Sequence, residues 1–365
     1  MLEPTGPSTI KSPDGTTTPT TASRVTVVIV NYRTPDLSLA CLAALAGERE
    51  AVPGLRVILV DGGSDDGSAG RLAAAVAEPA LGDWVSFLPL SLNGGFGWAN
   101  NQAIRRALAD EAPPAYIHLL NPDAEVEPGA LARLVAALDA RPDAGSAGSL
   151  LIDHDGRRLG SAFRFPTIAR EFLRGAGTPL LDRLLRVAPI NVEAQGDDIV
   201  EADWVTGASV LLRAEALRAC GLFDEGFFLY FEEVELMHRL HAAGWRALFV
   251  PASRVRHIGG AATGVVDGAS AQRKLPDYWF RSRRRFFARA YGPGWARLSG
   301  LAWLAGFGIW RLREIAGLGR DSAHAPGEWR DLIRNGLGAV GFDREAAVGR
   351  WDGPVDRPPA WKDHS

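Results

Sequence analysis

The sequence predicts a mixed α/β fold in which a mainly parallel sheet carries helices on both faces. Short apolar runs rich in β-branched residues alternate with helix-like segments through the first 150 residues. Such alternation is typical of strand, helix, strand units. Polar residues stand where several of the runs end, which is the edge of a parallel sheet at which ligands bind. The 365 residues, 47 % hydrophobic and 23 % charged, have the composition of a soluble globular enzyme.

The chain opens with a stretch rich in Thr, Pro and Ser, which predicts a disordered tail over residues 1–23 without the apolar segment of a signal peptide. Regular patterns begin with VTVVIVN, and the helix-like LSLACLAALAGE follows. Predicted strands span residues 25–31, 55–61, 84–90 and 115–121. Further helices are expected near residues 68–78, 98–110 and 128–140. Residues 24–150 thus form an α/β half.

The pattern loosens after residue 150, where loops with Gly, Arg and Pro are common. Strand signals return in DWVTGASVLLR (203–213) and GWRALFVP (244–251), so residues 151–276 are predicted to form an α+β half of the same domain. Residues 277–365 begin with the basic and aromatic DYWFRSRRRFFARAYG and are expected to be helical. The uncharged run 298–310 is too short for a bilayer span, which needs roughly 20 residues. Two interpretations stay open, namely a helix in a membrane interface and a helix packed on the domain.

Charge and cysteine content narrow the function. A formal net charge of −3 argues against a nucleic-acid partner. Cys41 and Cys220 form no disulfide framework or zinc motif, which indicates a cytoplasmic protein.

Four polar positions fall at the predicted carboxyl ends of strands, namely Asn31, Asp61, Asn93 and the segment from Asn121 to Asp123. Each could be only a helix cap, but four in succession favour a shared ligand site. Asp61 opens the turn DGGSDDGS, in which Ser64 offers a further polar group. A dinucleotide-binding unit requires glycines after the first strand, and NYRTPDLS has none, so a dehydrogenase is disfavoured.

Two later segments carry stronger ligand signals. SLNGGFGWANNQAI leads from glycines into a helix, an arrangement suited to an anionic or sugar ligand. In LLNPDAEVEPGAL, Asp123 leaves a buried strand and is a candidate ligand for Mg²⁺ or Mn²⁺, which prefer oxygen donors. A type I turn with Asp as a helix cap is the alternative for that segment.

The stretch FDEGFFLYFEEVELMHRL places Glu232, Glu233 and Glu235 directly after a group of aromatic residues. Acids are favoured at a helix N-terminus by its dipole. That preference leaves the aromatic approach unexplained, and a carboxylate buried beside it would gain the raised pKa that a catalytic base needs.

Seven ordered segments resemble the family 2 glycosyltransferases, in particular the rhamnosyltransferase-like branch, over about residues 24–290. They are NYRTPDLSLACLAAL, VDGGSDDGS, NGGFGWANN, LLNPDAEVEP, DWVTGASVLLRAEAL, CGLFDEGFFLYFEEVELMHRLHAAGW and VRHIGG. The resemblance implies a GT-A fold, a nucleotide-sugar donor, a divalent cation (Mg²⁺ or Mn²⁺) and an inverting transfer to an acceptor hydroxyl. The α/β half would bind the nucleotide sugar, and residues 151–276 would form the acceptor and catalytic half.

The resemblance also assigns residue roles. Nucleotide-sugar binding falls to Asn31, Tyr32, Asp61, Ser64, Asn93, Gly95, Asn101, Asn121 and Asp123. Metal binding falls to Asp123 and His257, and acceptor binding to Trp204, Thr206 and Gly207. Glu233 is the expected base, and Glu232 the residue that binds an acceptor hydroxyl.

One departure from the family pattern leaves the catalytic role open. The usual Glu-Asp-x-Asp is here Glu-Glu-x-Glu, so the carboxylates stand about one methylene further from the backbone. Either the backbone is adjusted or Glu232 is the base, and a catalytically silent sugar-nucleotide or glycan-binding module is the competing function. The donor expected by resemblance is dTDP-rhamnose, then a UDP sugar. The expected acceptor is a glycan or lipid-linked glycan, placing the protein in the cytoplasm or peripherally at the inner face of the plasma membrane.

Overall fold

The computed structural model describes residues 25–258, 274–318, 324–325 and 327–337. The tail expected over residues 1–23 and the end of the C-terminal region lie outside the described residues. The strands are β1 Val25–Asn31, β2 Arg56–Asp61, β3 Val85–Pro89, β4 Tyr116–Leu120, β5 Ala124–Val126, β6 Ala144–Ile152, β7 Ala162–Phe163, β8 Val200–Ala202, β9 Trp204–Val205, β10 Ser209–Arg213 and β11 Arg246–His257.

One large sheet runs through both halves of the chain in the order β3-β2-β1-β4-β10-β6-β11-β5, and β8 also pairs with β11. Strands β1 to β4 are mutually parallel, as are β6 and β11. Strand β10 lies antiparallel between β4 and β6, so the later half completes the sheet of the earlier half. The four strands predicted before residue 122 all form.

The helices are α1 Pro35–Ala46, α2 Ser68–Val76, α3 Pro79–Gly82, α4 Phe96–Leu108, α5 Ala130–Ala140, α6 Ile168–Ala176, α7 Pro179–Leu185, α8 Ala214–Cys220, α9 Glu232–Ala242, α10 Asp277–Tyr291, α11 Pro293–Ile315 and α12 Glu328–Asp331. A short π-helix covers Leu332–Gly336.

Alternate side chains of the strands point into two separate hydrophobic clusters, one on each face of the sheet. Val27 packs with side chains of α1, α2 and α5, whereas Val28 packs with those of α4, α8 and α9. The strands are apolar on both faces because helices cover both, which confirms the predicted layering.

A chain of buried hydroxyls crosses the middle of the sheet. His118 Nε2 lies 3.1 Å from the Ser209 hydroxyl, which contacts Ser149, and Ser149 in turn contacts Ser253. Burial lowers the pKa of His118 to about 3, so its imidazole is neutral at physiological pH. These groups join β4, β10, β6 and β11 and do not reach a surface.

The C-terminal helices pack onto the domain through internal ion pairs. Arg283 of α10 is fully buried against Glu171 of α6, and Arg285 binds Asp224 with both carboxylate oxygens. Of the two interpretations left open for this segment, packing on the domain accounts for Arg283 and Arg285, because their charges are matched inside the protein. Within the described ranges, no helix has both the length and the hydropathy required to cross a bilayer.

Candidate active site

The polar ends of β1 and β2 form a buried frame rather than a ligand surface. The two strands pair in parallel with Asn31 opposite Asp61, and the Asn31 amide donates to the Asp61 carboxylate at 2.7 Å. The second Asp61 oxygen accepts from the Ser64 amide, and Asn31 Oδ1 accepts from the Ser38 hydroxyl. Asn31 and Asp61 are fully buried, so these side chains fix the turn after β2.

A cavity of about 540 Å³, here called the edge cavity, opens beside this frame at the carboxyl ends of the strands. Ten residues assigned from the sequence line it: Tyr32, Asn93, Gly95, Asn121, Asp123, Thr206, Gly207, Glu232, Glu233 and His257. Asn31, Asp61, Ser64 and Asn101 are not among its lining residues. The structure thus brings together side chains from both halves of the chain.

Gly95 forms the cavity wall at the start of α4. Its φ is +89°, and a Cβ there would lie 2.0 Å from the Phe228 carbonyl oxygen. The same carbonyl accepts from the Phe96 amide, and Asn93 accepts from the Gly95 amide. Only glycine permits this close approach of the two backbone segments.

Asn101 occupies a different place from the one expected. It is completely buried on α4, where its amide donates to the Phe223 carbonyl and to Glu225 and its oxygen accepts from the Phe223 amide. Arg105, one turn later, pairs with Glu225 as well. Asn101 therefore lies apart from the edge cavity, and its hydrogen bonds hold the loop that precedes α9.

Asp123 and His257 meet at the opposite wall of the edge cavity. Antiparallel pairing of β5 with β11 sets His257 opposite Ala124, and His257 Nε2 lies 3.3 Å from Asp123 Oδ1. Asn121 Nδ2 stands 3.4 Å from the same imidazole nitrogen. The carboxylate and the imidazole are nearly buried and converge closely enough to act as two donors to one cation.

This donor set fits a cation whose shell is completed by substrate. Among the described residues no group of three His, Cys, Asp or Glu side chains forms a metal cluster. Mg²⁺ and Mn²⁺ sites at phosphates commonly use one or two protein ligands together with water and phosphate oxygens. Asp123 and His257 supply that number of donors.

A strained turn presents the two glutamates. Tyr230 and Phe231 both adopt left-handed backbone conformations, with φ of 69° and 68°, immediately before α9 begins at Glu232. Such conformations cost about 1–3 kcal/mol per residue and concentrate at functional sites. Both Glu232 and Glu233, the second of which is longer than the Asp of the usual family pattern, line the edge cavity directly after this turn.

Burial acts on both carboxyl groups of this pair. Each has one oxygen that is buried without a hydrogen-bond partner among the described residues. Burial raises the pKa of Glu233 to about 7, so its carboxyl is near its midpoint at neutral pH. Burial, with a smaller contribution from the neighbouring Glu233 charge, raises the pKa of Glu232 well above its usual range.

The third acid of the segment has a structural role. Glu235 is buried and accepts two hydrogen bonds from Arg239, one turn later on α9. Arg239 also donates to the carbonyls of Cys220 and Leu222. This ion pair fastens α9 to the end of α8.

A second cavity of about 880 Å³, here called the α6 cavity, lies on the other side of Glu233. Trp204, expected at the acceptor side, lines this second cavity, where its ring stacks on Phe163 at 4.3 Å. Tyr230 and Glu233 border both cavities.

Sequence reasoning missed the contribution of α10. Tyr278 lines the edge cavity, where its ring stacks with Tyr230, and the adjacent Trp279 lines the α6 cavity. The aromatic cluster DYWF was the available signal, but nothing in it showed which surface the rings meet.

Comparison with known proteins identifies the family. The family model described as glycosyltransferase like family 2 matches residues 22–286. An N-acetylglucosaminyl-diphospho-decaprenol L-rhamnosyltransferase of Mycobacterium tuberculosis is 33 % identical over 227 residues, 60 % of this chain and 71 % of that protein. Rhamnosyltransferase WbbL of Escherichia coli K12 is 29 % identical over 173 residues, 45 % of this chain and 60 % of that protein.

Among solved structures, GalNAc-T7 with UDP, GalNAc and Mn²⁺ aligns with a TM-score of 0.50 and 16 % identity, covering 82 % of this chain and 55 % of that one. This likeness concerns the fold and confirms the GT-A arrangement expected from the sequence. The chain belongs to glycosyltransferase family 2, and it is a glycosyltransferase of the rhamnosyltransferase-like branch.

Proposed function

We propose that the protein transfers a sugar, with rhamnose the first candidate, from a nucleotide sugar to a hydroxyl of a glycan or lipid-linked glycan. The transfer is inverting and uses Mg²⁺ or Mn²⁺. The position of Glu233 carries the proposal, because its buried carboxylate borders both cavities. A base at that place can take a proton from an acceptor in one cavity while a donor occupies the other.

The edge cavity is the proposed donor site. It lies at the carboxyl ends of parallel strands, and its volume of about 540 Å³ is within the range of small-molecule sites. Tyr32 offers a ring for the base, and Asn93 with Gly95 forms the wall along the sugar. The buried frame of Asn31, Asp61 and Ser64 keeps the turn at the base end in place. The rhamnosyltransferase relatives favour dTDP-rhamnose as donor, with a UDP sugar second.

Asp123 and His257 are the proposed metal ligands. Their 3.3 Å separation and near burial support the assignment, as does the Mn²⁺ bound in the similarly folded GalNAc-T7. A bound divalent cation would neutralise charge on the departing diphosphate, a contribution of several kcal/mol. The Asn121 amide, beside His257, orients the imidazole.

Glu233 is the proposed base, and Glu232 the group that orients the acceptor hydroxyl. A base must be ionised near the working pH and strong enough to accept a proton, which a pKa near 7 provides. Burial raises the pKa of Glu232 well above its usual range, which favours its protonated form, a hydrogen-bond donor. The left-handed turn at Tyr230 and Phe231 is the backbone adjustment that accommodates the longer side chain of Glu233.

Replacing Glu233 tests this assignment. We expect Glu233→Gln to lower kcat/KM about 10³-fold, since general-base catalysis contributes about 10²–10⁴-fold, while the Kd of the nucleotide sugar stays unchanged. Glu232→Gln, the matched control on the same turn, should chiefly raise the KM of the acceptor. Steady-state kinetics and calorimetric donor titration measure both effects. Full activity of Glu233→Gln would transfer the base role to Glu232.

The metal assignment has a test that does not depend on turnover. Asp123→Ala should weaken Mn²⁺ binding in the presence of UDP at least tenfold, measured by calorimetry. Glu125→Ala is the control, because that carboxylate is about half exposed on the adjacent strand and lines neither cavity. Equal Mn²⁺ affinity in the Asp123→Ala variant and the unmodified protein would contradict the site.

We also propose that the protein acts at the inner face of the plasma membrane. The M. tuberculosis relative is named for a decaprenol-linked substrate, and an acceptor of that kind resides in a bilayer. Helix α11 carries an exposed apolar stripe with Leu301, Leu312 and Ile315, which is the surface proposed to meet the lipid.

A further inference from the structure

The α6 cavity holds a cation that forms no ion pair with any residue the structure describes. Arg174 of α6 lines this cavity, and its guanidinium carbon lies 4.5 Å from the ring centres of both Trp279 and Trp303. The two indoles, 5.9 Å apart and nearly perpendicular, form a corner that holds the guanidinium. In the described part of the chain no side chain or carbonyl accepts a hydrogen bond from Arg174, so its donors remain available to a ligand.

A second arginine stands one turn earlier on the same helix face. Arg170 also lines the cavity, where it donates to the carbonyls of Phe165 and Ala188. Its Nε is buried and has no acceptor among the described residues. Residues four apart on a helix are neighbours, so the two guanidinium groups form a pair of adjacent cationic donors.

The acids of the cavity are mostly engaged elsewhere. Glu171 pairs with Arg283 at 2.7 Å, and Glu328 accepts from the Ala325 amide and contacts His324 at 3.0 Å. Asp182 lies at the exposed rim. Desolvation lowers the pKa of Arg174, while the charges of Glu171 and Glu328 act in the opposite direction with smaller effect. An anion in the cavity would add to the stabilisation of the guanidinium charge.

The rim of the cavity is apolar. Helix α7, which contributes Asp182 to the lining, exposes Leu180 and Leu184 by 72 % each. Ile190, after α7, lines the cavity and is also exposed. A molecule that leaves the cavity across this rim meets leucine and isoleucine side chains, so the surroundings suit an amphiphile with an anionic group.

We propose that the α6 cavity binds the diphosphate of a lipid diphosphate acceptor, with Arg174 and Arg170 as its ligands. The inference rests on the proposed function, since it assigns residues of this chain to the anionic group of the acceptor in that reaction. Two adjacent arginines match two linked phosphates, because a guanidinium offers paired donors in the geometry of phosphate oxygens. The acceptor sugar then extends toward Glu233, and the lipid chain runs out over α7.

The test is calorimetric titration of the full chain with geranyl diphosphate while the edge cavity is saturated with dTDP and Mn²⁺. We expect the unmodified protein to bind and Arg174→Gln to weaken binding at least tenfold. Arg174→Lys should recover part of the loss by keeping the charge. Because Arg174 packs on two indoles, its replacement could lower the melting temperature of the protein. In that case the affinity of Arg170→Gln for geranyl diphosphate provides a second test of the same site.

Matched controls distinguish a direct contact between Arg174 and the diphosphate from nonspecific electrostatic attraction. Arg183→Gln changes an exposed arginine of α7 that does not line the cavity, and it should leave the affinity unchanged. Equal losses of affinity for geranyl diphosphate in the Arg183 and Arg174 variants would overturn the proposed contact. Inorganic pyrophosphate should bind more weakly than geranyl diphosphate, and equal affinity would overturn the lipid component.

A transfer assay distinguishes failure of this inference from failure of the proposed function. Arg174→Gln should raise KM at least tenfold for a prenyl diphosphate glycoside and leave KM for the octyl glycoside of the same sugar unchanged. Unchanged KM for both acceptors would refute the inference and leave the function standing. Binding of geranyl diphosphate through Arg174 by a protein that transfers no sugar would refute the function instead.

Discussion

Glu232 and Glu233 are adjacent in the chain, and burial raises the pKa of both carboxyl groups. The Glu233 charge adds to the raised pKa of Glu232. This difference supports the proposed roles, with Glu233 as the base and Glu232 as the hydrogen-bond donor. The sequence alone did not separate these roles, because burial and the proximity of the two carboxyl groups are set by the fold.

The pH dependence of transfer follows from the pKa of Glu233. Raised to about 7 by burial, the carboxyl is protonated and inactive as a base at lower pH. We expect kcat/KM to rise with pH, about tenfold per unit below the midpoint, and to level off above it. A pH series with saturating Mn²⁺ measures the profile.

The groups that face Glu233 across the edge cavity also bear on this prediction. Glu232 lies beside it on α9, and Asp123 and His257 lie on the opposite wall. Because burial is what raises the pKa of Glu233, Glu232→Gln should keep the midpoint near 7. A profile that is flat between about pH 5.5 and 8 would contradict the role of Glu233.

Some site residues were readable from the sequence and others were not. Asp123 is a polar residue at a strand end, a position that predicts a ligand site, whereas His257 was assigned through the resemblance. The motif position of Asn101 does not reveal that a buried loop 122 residues away uses its amide. Arg174 carries no local signal at all, since only the packing of α10 and α11 onto α6 creates its aromatic corner.

At the scale of elements, strand prediction succeeded where apolar β-branched runs occur and failed for β6. In its sequence, AGSAGSLLI, only the terminal Ile152 is a residue that favours strands. A Cβ at Gly148 would lie 2.5 Å from Val205, and one at Gly145 would lie 3.0 Å from Trp245. Small residues are present because neighbouring side chains press against this strand, a requirement that local propensity does not express.

Helices α6 and α11 make a similar close contact. A Cβ at Gly306 would lie 2.0 Å from the Phe172 carbonyl oxygen, and one at Gly175 would lie 2.1 Å from the Trp303 carbonyl oxygen. Two glycines thus allow the helix backbones to touch. The same contact positions Trp303 beside Arg174.

Replacing Gly306 should separate the two helices. We expect Gly306→Ala to destabilise the protein by about 1–3 kcal/mol, the usual cost of overpacking. Gly308→Ala, two residues away on α11, has open space around its Cβ and should gain up to about 1 kcal/mol from helix propensity. Urea unfolding of both variants measures the difference, and equal effects would contradict the proposed contact.

At the scale of the whole molecule, the C-terminal helices complete the catalytic domain. Successive residues of α10, Tyr278 and Trp279, line the edge cavity and the α6 cavity respectively. The sequence correctly predicted helices after residue 277. It did not show that their aromatic residues build cavity walls, because the patterns of a packed helix and an interfacial helix are alike until the partner surface is known.

The exposed stripe of α11 leads to a prediction about the whole protein. Leu301, Leu312 and Ile315 are 53 %, 68 % and 73 % exposed on the side of α11 away from α6. Burying each such side chain in a membrane interface contributes about 1.5–3 kcal/mol at most. We therefore expect replacement of all three by Ser to reduce co-sedimentation with anionic vesicles at least tenfold, while transfer to a soluble acceptor is retained. Ile199→Ser, an exposed apolar residue elsewhere, serves as the control.

The spacing of the stripe also admits a helical partner, so the experiment must distinguish lipid from a second copy of the chain. Leu298, Leu301, Leu312 and Ile315 share one helix face because they fall at heptad-related positions. If the unmodified protein elutes as a dimer that the triple variant dissociates, the stripe is an interface between copies. A monomer whose vesicle binding is lost in the triple variant supports membrane contact, because removing the apolar face then changes only the affinity for lipid.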